Sequence, residues 1–232
     1  MKLWDDTYVE KGWSRIAPLH TSQVKVPYLY LQPKRKDFLK FRPLASYFCH
    51  KLKTVYKVAR QALMVILKTI QVPHMNLFET YSTKPKVNKI FREIDKFSRE
   101  YNCTPHIETY SGDVQQLFTQ LDFDTVKRSL EWAISTVKLT KAAQGRHFVT
   151  VNRADKNLSR IGPKYSGTAL LQLSFTDILD ICLFDTQNAY FEINNQILKQ
   201  VFGIAQGSAP EPKHFRIRTY VLGKPVSDIH PG

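Results

Sequence analysis

Basic and aromatic residues alternate between positions 34 and 42, and both residue types can contact a nucleic-acid strand. Lysine and arginine side chains bind phosphate groups, whereas aromatic rings can stack on bases. The cations of this segment are Lys34, Arg35, Lys36, Lys40 and Arg42. For its two rings, Phe38 and Phe41, we expect insertion into the hydrophobic core, with the segment itself a solvated loop. The pattern therefore predicts a nucleic-acid-binding surface that consists mainly of cations.

The net charge of the chain favours an anionic partner. The 232 residues hold 34 Lys and Arg against 20 Asp and Glu, which gives a formal charge of +14 and a pI of about 9.7. Most of the excess lies in the first 100 residues, which carry 20 basic against 8 acidic side chains. Solubility alone needs a net charge of only about 2–8, so a purely solubilising role is the weaker alternative. A surplus of this size usually indicates nucleic acid.

A long amphipathic helix is predicted after the basic segment. Apolar residues recur at spacings of three and four between residues 45 and 71, which is typical of a helix with one buried face. Cations project between them and form a basic outer face. Four of these cations extend the predicted nucleic-acid surface, namely Lys51, Lys53, Lys57 and Arg60.

Other local patterns predict further helices and several short strands. Helices are expected at 86–101, 122–139 and 174–184. Strands are expected at 24–31, 107–114, 146–151 and 215–222. Asp122 or Asp124 and Ser174 are the expected caps of the last two helices, and Pro27 would confine the first strand to a sheet edge. Long helices combined with short, hairpin-linked strands predict an α+β protein.

A β-hairpin followed by a glycine-rich run is predicted near the end of the sequence. Its strands cover 190–193 and 197–202, and Asn194–Asn195 forms the turn, because asparagine tolerates the positive φ of a tight hairpin. The run GIAQGSAPEP at 203–212 follows. Its glycines lack Cβ atoms, which allows a backbone to approach a ligand closely.

Three segments, in this order, resemble motifs of the reverse transcriptases. KFRPLASYFCHKLKTVYKVARQAL at 40–63 is similar to the fingers segment, GDVQQLFTQLDFD at 112–124 to the first palm motif, and the run at 203–212 to the Gln-Gly motif. The resemblance implies a partial right-hand polymerase fold. We expect a basic fingers-like region at 1–104 and an incomplete palm-like region at 105–232, together forming one compact unit.

The resemblance also implies roles for single residues. Arg42 matches an arginine that contacts nucleotide or template phosphate, Asp113 a metal-binding carboxylate, and Phe118 the ring beside the sugar. Gln206 and Gly207 match the pair that lines the nucleotide and template pocket. Members of the family carry a later Tyr/Phe-x-Asp-Asp motif, and this sequence has no Asp doublet after the Gln-Gly motif. Since a two-metal centre needs several carboxylates, we expect these positions to be vestigial, with no catalytic residue, metal or cofactor.

The cysteines and the short apolar runs argue against a disulfide-rich, a zinc-binding or a membrane protein. Cys49, Cys103 and Cys182 are far apart and odd in number, so we expect neither a disulfide frame nor structural zinc, which fits a reducing compartment. No apolar run approaches about 20 residues, so neither a transmembrane helix nor a membrane partner is expected. The first residues include early acids and lack an apolar core, which predicts neither a signal peptide nor a transit peptide.

These observations together predict a non-enzymatic RNA-binding protein derived from a reverse transcriptase. It is similar to the reverse-transcriptase-like proteins encoded in green-algal mitochondrial genomes. The expected location is the mitochondrion, and the expected partners are ribosomal RNA and the proteins of a ribonucleoprotein such as the mitochondrial ribosome. The main alternative is a fragment of an RNA-directed DNA polymerase, a split polymerase or an intron maturase that another chain completes. A protein scaffold, in which the charge is incidental, is a third possibility.

Overall fold

The chain folds into five helices and seven strands within the residues that the structure describes. In this computed structural model those residues are 2–21, 25–34, 37–70, 83–106, 121–163, 170–201 and 203. The chain divides into two compact units, one formed by Met1–Val72 with Gln116–Gly232 and the other by Pro73–Gln115. The mixture of helices and largely antiparallel strands confirms the predicted α+β class.

The elements form two sheets and a set of helices. The helices are α1 (Lys2–Glu10), α2 (Lys53–Thr69), α3 (Thr83–Tyr101), α4 (Phe123–Lys138) and α5 (Phe175–Gln187). The strands are β1 (Tyr28–Lys34), β2 (Asp37–Ser46), β3 (Phe148–Asn152), β4 (Arg160–Ile161), β5 (Leu170–Ser174), β6 (Tyr190–Ile193) and β7 (Gln196–Lys199). One sheet has the order β2-β1-β6-β7 and the other β4-β3-β5. Helix α3 belongs to the second unit and the remaining elements to the first.

Helix α2 lies in the core of the first unit. It packs against α4, α5, β3 and β4. Its buried residues are Val55, Tyr56, Val58, Ala59, Ala62, Leu63, Ile66 and Leu67. The predicted helix over 45–71 is confirmed in its body but begins eight residues later than expected. The reason is that residues 45 and 46 belong to β2, where their backbone pairs with β1 instead of entering a helix.

The predicted helix caps are present in α4 and α5. Asp122 accepts hydrogen bonds from the hydroxyl of Thr125 at 2.7 Å and from its backbone N–H at 2.6 Å, and these bonds lower the pKa of the Asp122 carboxyl. Ser174 and Asp177 form a reciprocal capping box at the start of α5. Each cap satisfies backbone N–H groups that have no partner inside the helix. The helix predicted at 86–101 is confirmed as α3, and the strand at 146–151 as β3.

The predicted Asn-Asn hairpin is confirmed as β6 and β7. It joins the four-stranded sheet where β6 pairs with β1. Asn194 and Asn195 have φ angles of 48° and 60° between β6 and β7. Strand β1 lies between β2 and β6, so the prediction that Pro27 confines it to an edge is wrong. Because Pro27 precedes the first residue of β1, its missing N–H removes no bond from the β1 ladder. Its carbonyl still accepts the N–H of Glu192 at 2.7 Å. The strands predicted at 107–114 and 215–222 lie outside the described residues.

The first residues of the chain form a helix and a 3₁₀ turn that the sequence patterns did not predict. Trp4 in α1 and Trp13 in the turn are buried, and the ring of Trp13 lies edge-on to Phe184. Two ion pairs connect this segment to α5: Lys11 with Asp180 at 3.0 Å, and Arg15 with Asp177. The segment is therefore part of the core of the first unit.

No described helix is both long and apolar enough to span a bilayer. The three cysteines are free, with Cys182 buried, Cys49 half-buried and Cys103 exposed. Burial raises the pKa of the Cys182 thiol, and the nearby charge of Asp185 raises it further. A protonated thiol in this position packs as a small apolar group.

Gly162 is a position where a side chain is expected to lower stability. Its φ is +107°, and a Cβ atom would lie 2.6 Å from Cδ of Arg146, whose guanidinium donates to the carbonyl of Ile161. Because the backbone conformation and the contact are both unfavourable, Gly162→Ala should cost about 2–3 kcal/mol of unfolding free energy in a denaturant titration. Gly145→Ala is the matched control, since its φ is +68° with nothing within 4 Å of the added Cβ. A Gly162 variant as stable as the control would contradict this expectation.

Candidate nucleic-acid interface

The basic segment at 34–42 contains the end of β1 and the first residues of β2, which pair as a β-hairpin, so the prediction of a solvated loop is wrong. Strands β1 and β2 pair in antiparallel register from Tyr28 with Ser46 to Pro33 with Phe41. The register then shifts, and Lys34 pairs with Asp37. Three residues of β2, numbered 38–40, bulge out at this shift. Bulges of this kind re-aim side chains near the end of a strand pair.

The rings of the hairpin point into solvent. Phe38 is 73% exposed, Leu39 in the bulge is 91% exposed, and Phe41 is 52% exposed. The expectation that Phe38 and Phe41 insert into the core is therefore wrong. The physical reason is the pairing of β1 with β6, which is limited to Tyr28 with Glu192. Beyond the pair of Leu29 with Ala45 the hairpin continues as a two-stranded ribbon, and residues 30–33 and 38–41 are exposed.

Three of the five cations of the basic segment lie in strands that the structure describes. Lys34 ends β1, and Lys40 is exposed in the bulge. Arg42 lies in β2, opposite Gln32. Arg35 and Lys36 lie outside the described residues. The role of all five as phosphate ligands stays a prediction.

Helix α2 presents a second group of cations. Lys57, Arg60 and Lys68 are exposed, and with Lys53 they share one face of the helix. Met64 is half-buried on the same face. The basic outer face predicted for this helix is thus present on its solvent side.

Lys51 and Lys53 make contacts within the chain that involve their amines. Lys51 forms an ion pair with Asp5 of α1. Lys53 donates a hydrogen bond to the carbonyl of Phe48 at 3.0 Å, and its amine lies 4.1 Å from the centre of the Phe48 ring. These contacts give both side chains a structural role. We centre the candidate interface on Lys57, Arg60 and the hairpin, because Lys40, Lys57 and Arg60 are exposed.

The positions assigned by resemblance to the polymerase centre are not among the described residues. These are Asp113, Phe118, Gln206 and Gly207, and their roles stay predictions. Within the part of the chain that the structure describes, no group of three or more His, Cys, Asp or Glu side chains is placed to hold a metal ion.

Sequence reasoning did not assign the tyrosines of β1 to any surface. Tyr28 and Tyr30 are 56% and 43% exposed, and their ring centres lie 5.8 Å apart. The signal was the period of two in Tyr-Leu-Tyr, which places both rings on the same face of a strand. This alternation indicates a binding surface only when that face of the strand is known to meet solvent.

The fold is that of part of a reverse transcriptase. The chain matches a Candida tropicalis telomerase bound to the TWJ fragment of telomeric RNA with a TM-score of 0.58 at 14% identity, over 95% of this chain and 35% of the telomerase. It matches a Candida tropicalis telomerase without its C-terminal domain at 0.55 and 14%, over 95% and 43%. A Candida albicans telomerase with the same RNA fragment gives 0.53 and 12%, over 96% and 38%.

The similarity covers nearly all of this chain but less than half of each of these telomerases. The predicted partial polymerase fold is therefore confirmed, although the sequences have diverged to 12–14% identity. No family model matches the sequence, and no curated protein matches it either.

Proposed function

We propose that this chain is a non-enzymatic RNA-binding protein with a reverse-transcriptase fold. The single observation that carries the proposal is the basic hairpin of β1 and β2, which extends into solvent with exposed rings and an exposed Lys40. Cations on a projecting ribbon can reach phosphates, and phosphate contacts give affinity without requiring a particular base sequence. The exposed face of α2 adds Lys57 and Arg60 to the surface.

The structural relatives make RNA the favoured nucleic acid. Two of the similar telomerases are bound to a fragment of telomeric RNA. The same fold with a net charge of +14 suits a structured RNA partner. We place the protein in a ribonucleoprotein, with the mitochondrial ribosome and its RNA as the specific assignment. That assignment rests on the charge and on the resemblance to reverse-transcriptase-like proteins of green-algal mitochondria, and it sets the location as mitochondrial.

The proposal is tested by measuring RNA binding and polymerisation with the same preparation. The chain should bind a structured RNA with an affinity that falls about 1,000-fold between about 50 mM and about 200 mM salt, as expected for roughly six phosphate contacts. It should not extend a primer on an RNA template with Mg²⁺ or Mn²⁺. Primer extension that Asp113→Ala abolishes would contradict the proposal and favour a polymerase fragment. Binding that does not weaken with salt would favour a protein scaffold.

Sedimentation tests the assignment to a particle. In a density gradient the protein should migrate with ribosomal subunits, and treatment with ribonuclease should release it. Migration as a free protein before ribonuclease treatment would contradict the ribosomal assignment and leave RNA binding to be judged by the affinity measurement.

A further inference from the structure

One face of the four-stranded sheet carries tyrosines on its two inner strands. Tyr28 of β1 is in register with Glu192 of β6, so the side chains of both residues leave the sheet on the same side. Tyr30 and Tyr190 lie two residues from these positions and share that side. We call this side, defined by Tyr28, Tyr30, Tyr190 and Glu192, the tyrosine face.

The two β1 rings of the tyrosine face are open to solvent and lie close together. Their centres are 5.8 Å apart with an angle of 40° between the ring planes, and about half of each residue is exposed. A hydrophobic core would normally cover two such rings. Exposed neighbouring aromatic rings on a sheet are a suitable platform for unpaired bases, because every base has a flat π surface.

Charge is distributed across the sheet in a way that fits a nucleic-acid strand. Cations lie on the outer strands, with Lys40 and Arg42 on β2 and Lys199 on β7, and at the far end of β1, where Lys34 stands. Lys199 pairs with Tyr190, and its amine lies 5.6 Å from the centre of that ring. Glu192 is the acidic member of the tyrosine face, and it lies on the inner strand β6. A carboxylate disfavours phosphate nearby, so bases suit the centre of the face and phosphates suit its edges.

We propose that the tyrosine face binds single-stranded RNA, with unpaired bases stacked on Tyr28 and Tyr30 and phosphates at the cations of the outer strands. This inference rests on the proposed function and deepens it, since it names unpaired nucleotides as the part of the RNA that the sheet contacts. A paired duplex keeps its bases inside the helix and cannot offer them to the rings. The face therefore distinguishes single strands from duplexes, whereas the cations alone do not.

The double variant Tyr28→Leu, Tyr30→Leu tests the inference by fluorescence anisotropy. Two probes are used: a short single-stranded oligoadenylate and a short RNA duplex. Stacking contributes about 1–3 kcal/mol per base, so the variant should bind the single strand about 10- to 100-fold more weakly. Its affinity for the duplex and its salt dependence should not change. Tyr28→Phe, Tyr30→Phe keeps both rings and should retain the affinity of the wild type.

Tyr101→Leu is the matched control. Tyr101 is also an exposed tyrosine with an aromatic neighbour, Phe97 at 4.6 Å, but it belongs to α3 in the other unit. Its replacement should leave binding of both probes unchanged. If the leucine variant of β1 does not fold, photocrosslinking of the wild type to an oligonucleotide containing 4-thiouridine replaces the comparison. Crosslinks should then map to the peptide that contains Tyr28 and Tyr30, and crosslinks elsewhere would overturn the inference.

The outcomes separate this inference from the proposed function. Equal losses on both probes, or no loss on the single strand, would overturn stacking on the tyrosine face while salt-dependent RNA binding stands. A wild-type chain that binds neither probe would overturn the proposed function and the stacking together.

Discussion

Replacing Lys34, Arg35 and Lys36 together with glutamate is expected to lower the affinity for a structured RNA about 100-fold. Lys34 ends β1, and Arg35 and Lys36 follow it directly in the sequence. A hydrogen bond to a charged group contributes on the order of 1 kcal/mol or more. The loss of three phosphate contacts therefore corresponds to about 3 kcal/mol, which is roughly 100-fold in affinity.

The salt dependence should change along with the affinity. Each phosphate contact contributes about 0.7 to the slope of log K against log salt for a single strand and about 0.9 for a duplex. Removing three contacts should reduce the slope by about 2. Anisotropy titrations at several salt concentrations measure both quantities in the same experiment.

A charge-matched variant separates the hairpin from the net charge of the chain. Lys127→Glu, Arg128→Glu, Lys141→Glu makes the same change in net charge at exposed positions in and after α4. It should weaken binding much less than the hairpin variant. Asp113→Ala should likewise have the smaller effect. If either variant weakened binding as much as the hairpin variant, the hairpin would not be the main contact.

Acidification from about pH 7 to about pH 5 is expected to destabilise the first unit by about 2 kcal/mol through His50. This histidine is buried, with ring centres of Trp4, Tyr47 and Tyr56 at 4.5, 5.0 and 5.1 Å. Its Nδ1 accepts the backbone N–H of Leu52 at 3.0 Å. Burial lowers the pKa of His50 from 6.5 to about 3, because the charged imidazolium loses its hydration there.

The sign follows from proton binding in the two states. Below about pH 6.5 the unfolded chain binds a proton at His50, whereas the folded chain does not until about pH 3. The unfolded state therefore binds more protons across this window, and stability falls as the pH falls. The contribution of His50 is complete above about pH 6.5 and is progressively lost toward pH 3. The slope within the window is about 1.4 kcal/mol per pH unit.

Tryptophan fluorescence in denaturant titrations measures this effect, because Trp4, Trp13 and Trp132 all belong to the first unit. The variant His50→Gln should be less stable at neutral pH, because the ring contacts are lost. Its stability should nevertheless fall by about 2 kcal/mol less than that of the wild type on acidification. His147→Gln, at an exposed position, should keep the wild-type pH dependence. An unchanged pH dependence in His50→Gln would show that another group is responsible.

The sequence correctly predicted the helix caps and the hairpin turn, because each is formed by residues that are close together in the chain. The caps at Asp122 and Ser174 are side chains that reach backbone groups three residues away, so the sequence alone contains the interaction. The Asn194–Asn195 turn is likewise a property of two adjacent residues that tolerate positive φ. The apolar period of α2 predicted its buried face for the same reason.

Tertiary pairing decided what the local patterns could not. Residues 37–46 became a strand because β1 offers them partners, and the N-terminal residues became a helix because buried tryptophans and ion pairs to α5 hold it in place. The same pairing decided which side chains are available for binding. Lys51 forms an ion pair with Asp5, and Phe38 is exposed in the bulge of the hairpin.

Local sequence patterns predicted a basic α+β chain with segments that resemble reverse-transcriptase motifs, a central amphipathic helix and a tight Asn-Asn hairpin. Tertiary packing makes the basic segment part of a projecting hairpin and leaves Tyr28 and Tyr30 together on an exposed sheet face. The physical reason is that composition, periodicity and capping act over a few residues. The exposure of a side chain, in contrast, depends on which distant strand or helix packs beside it.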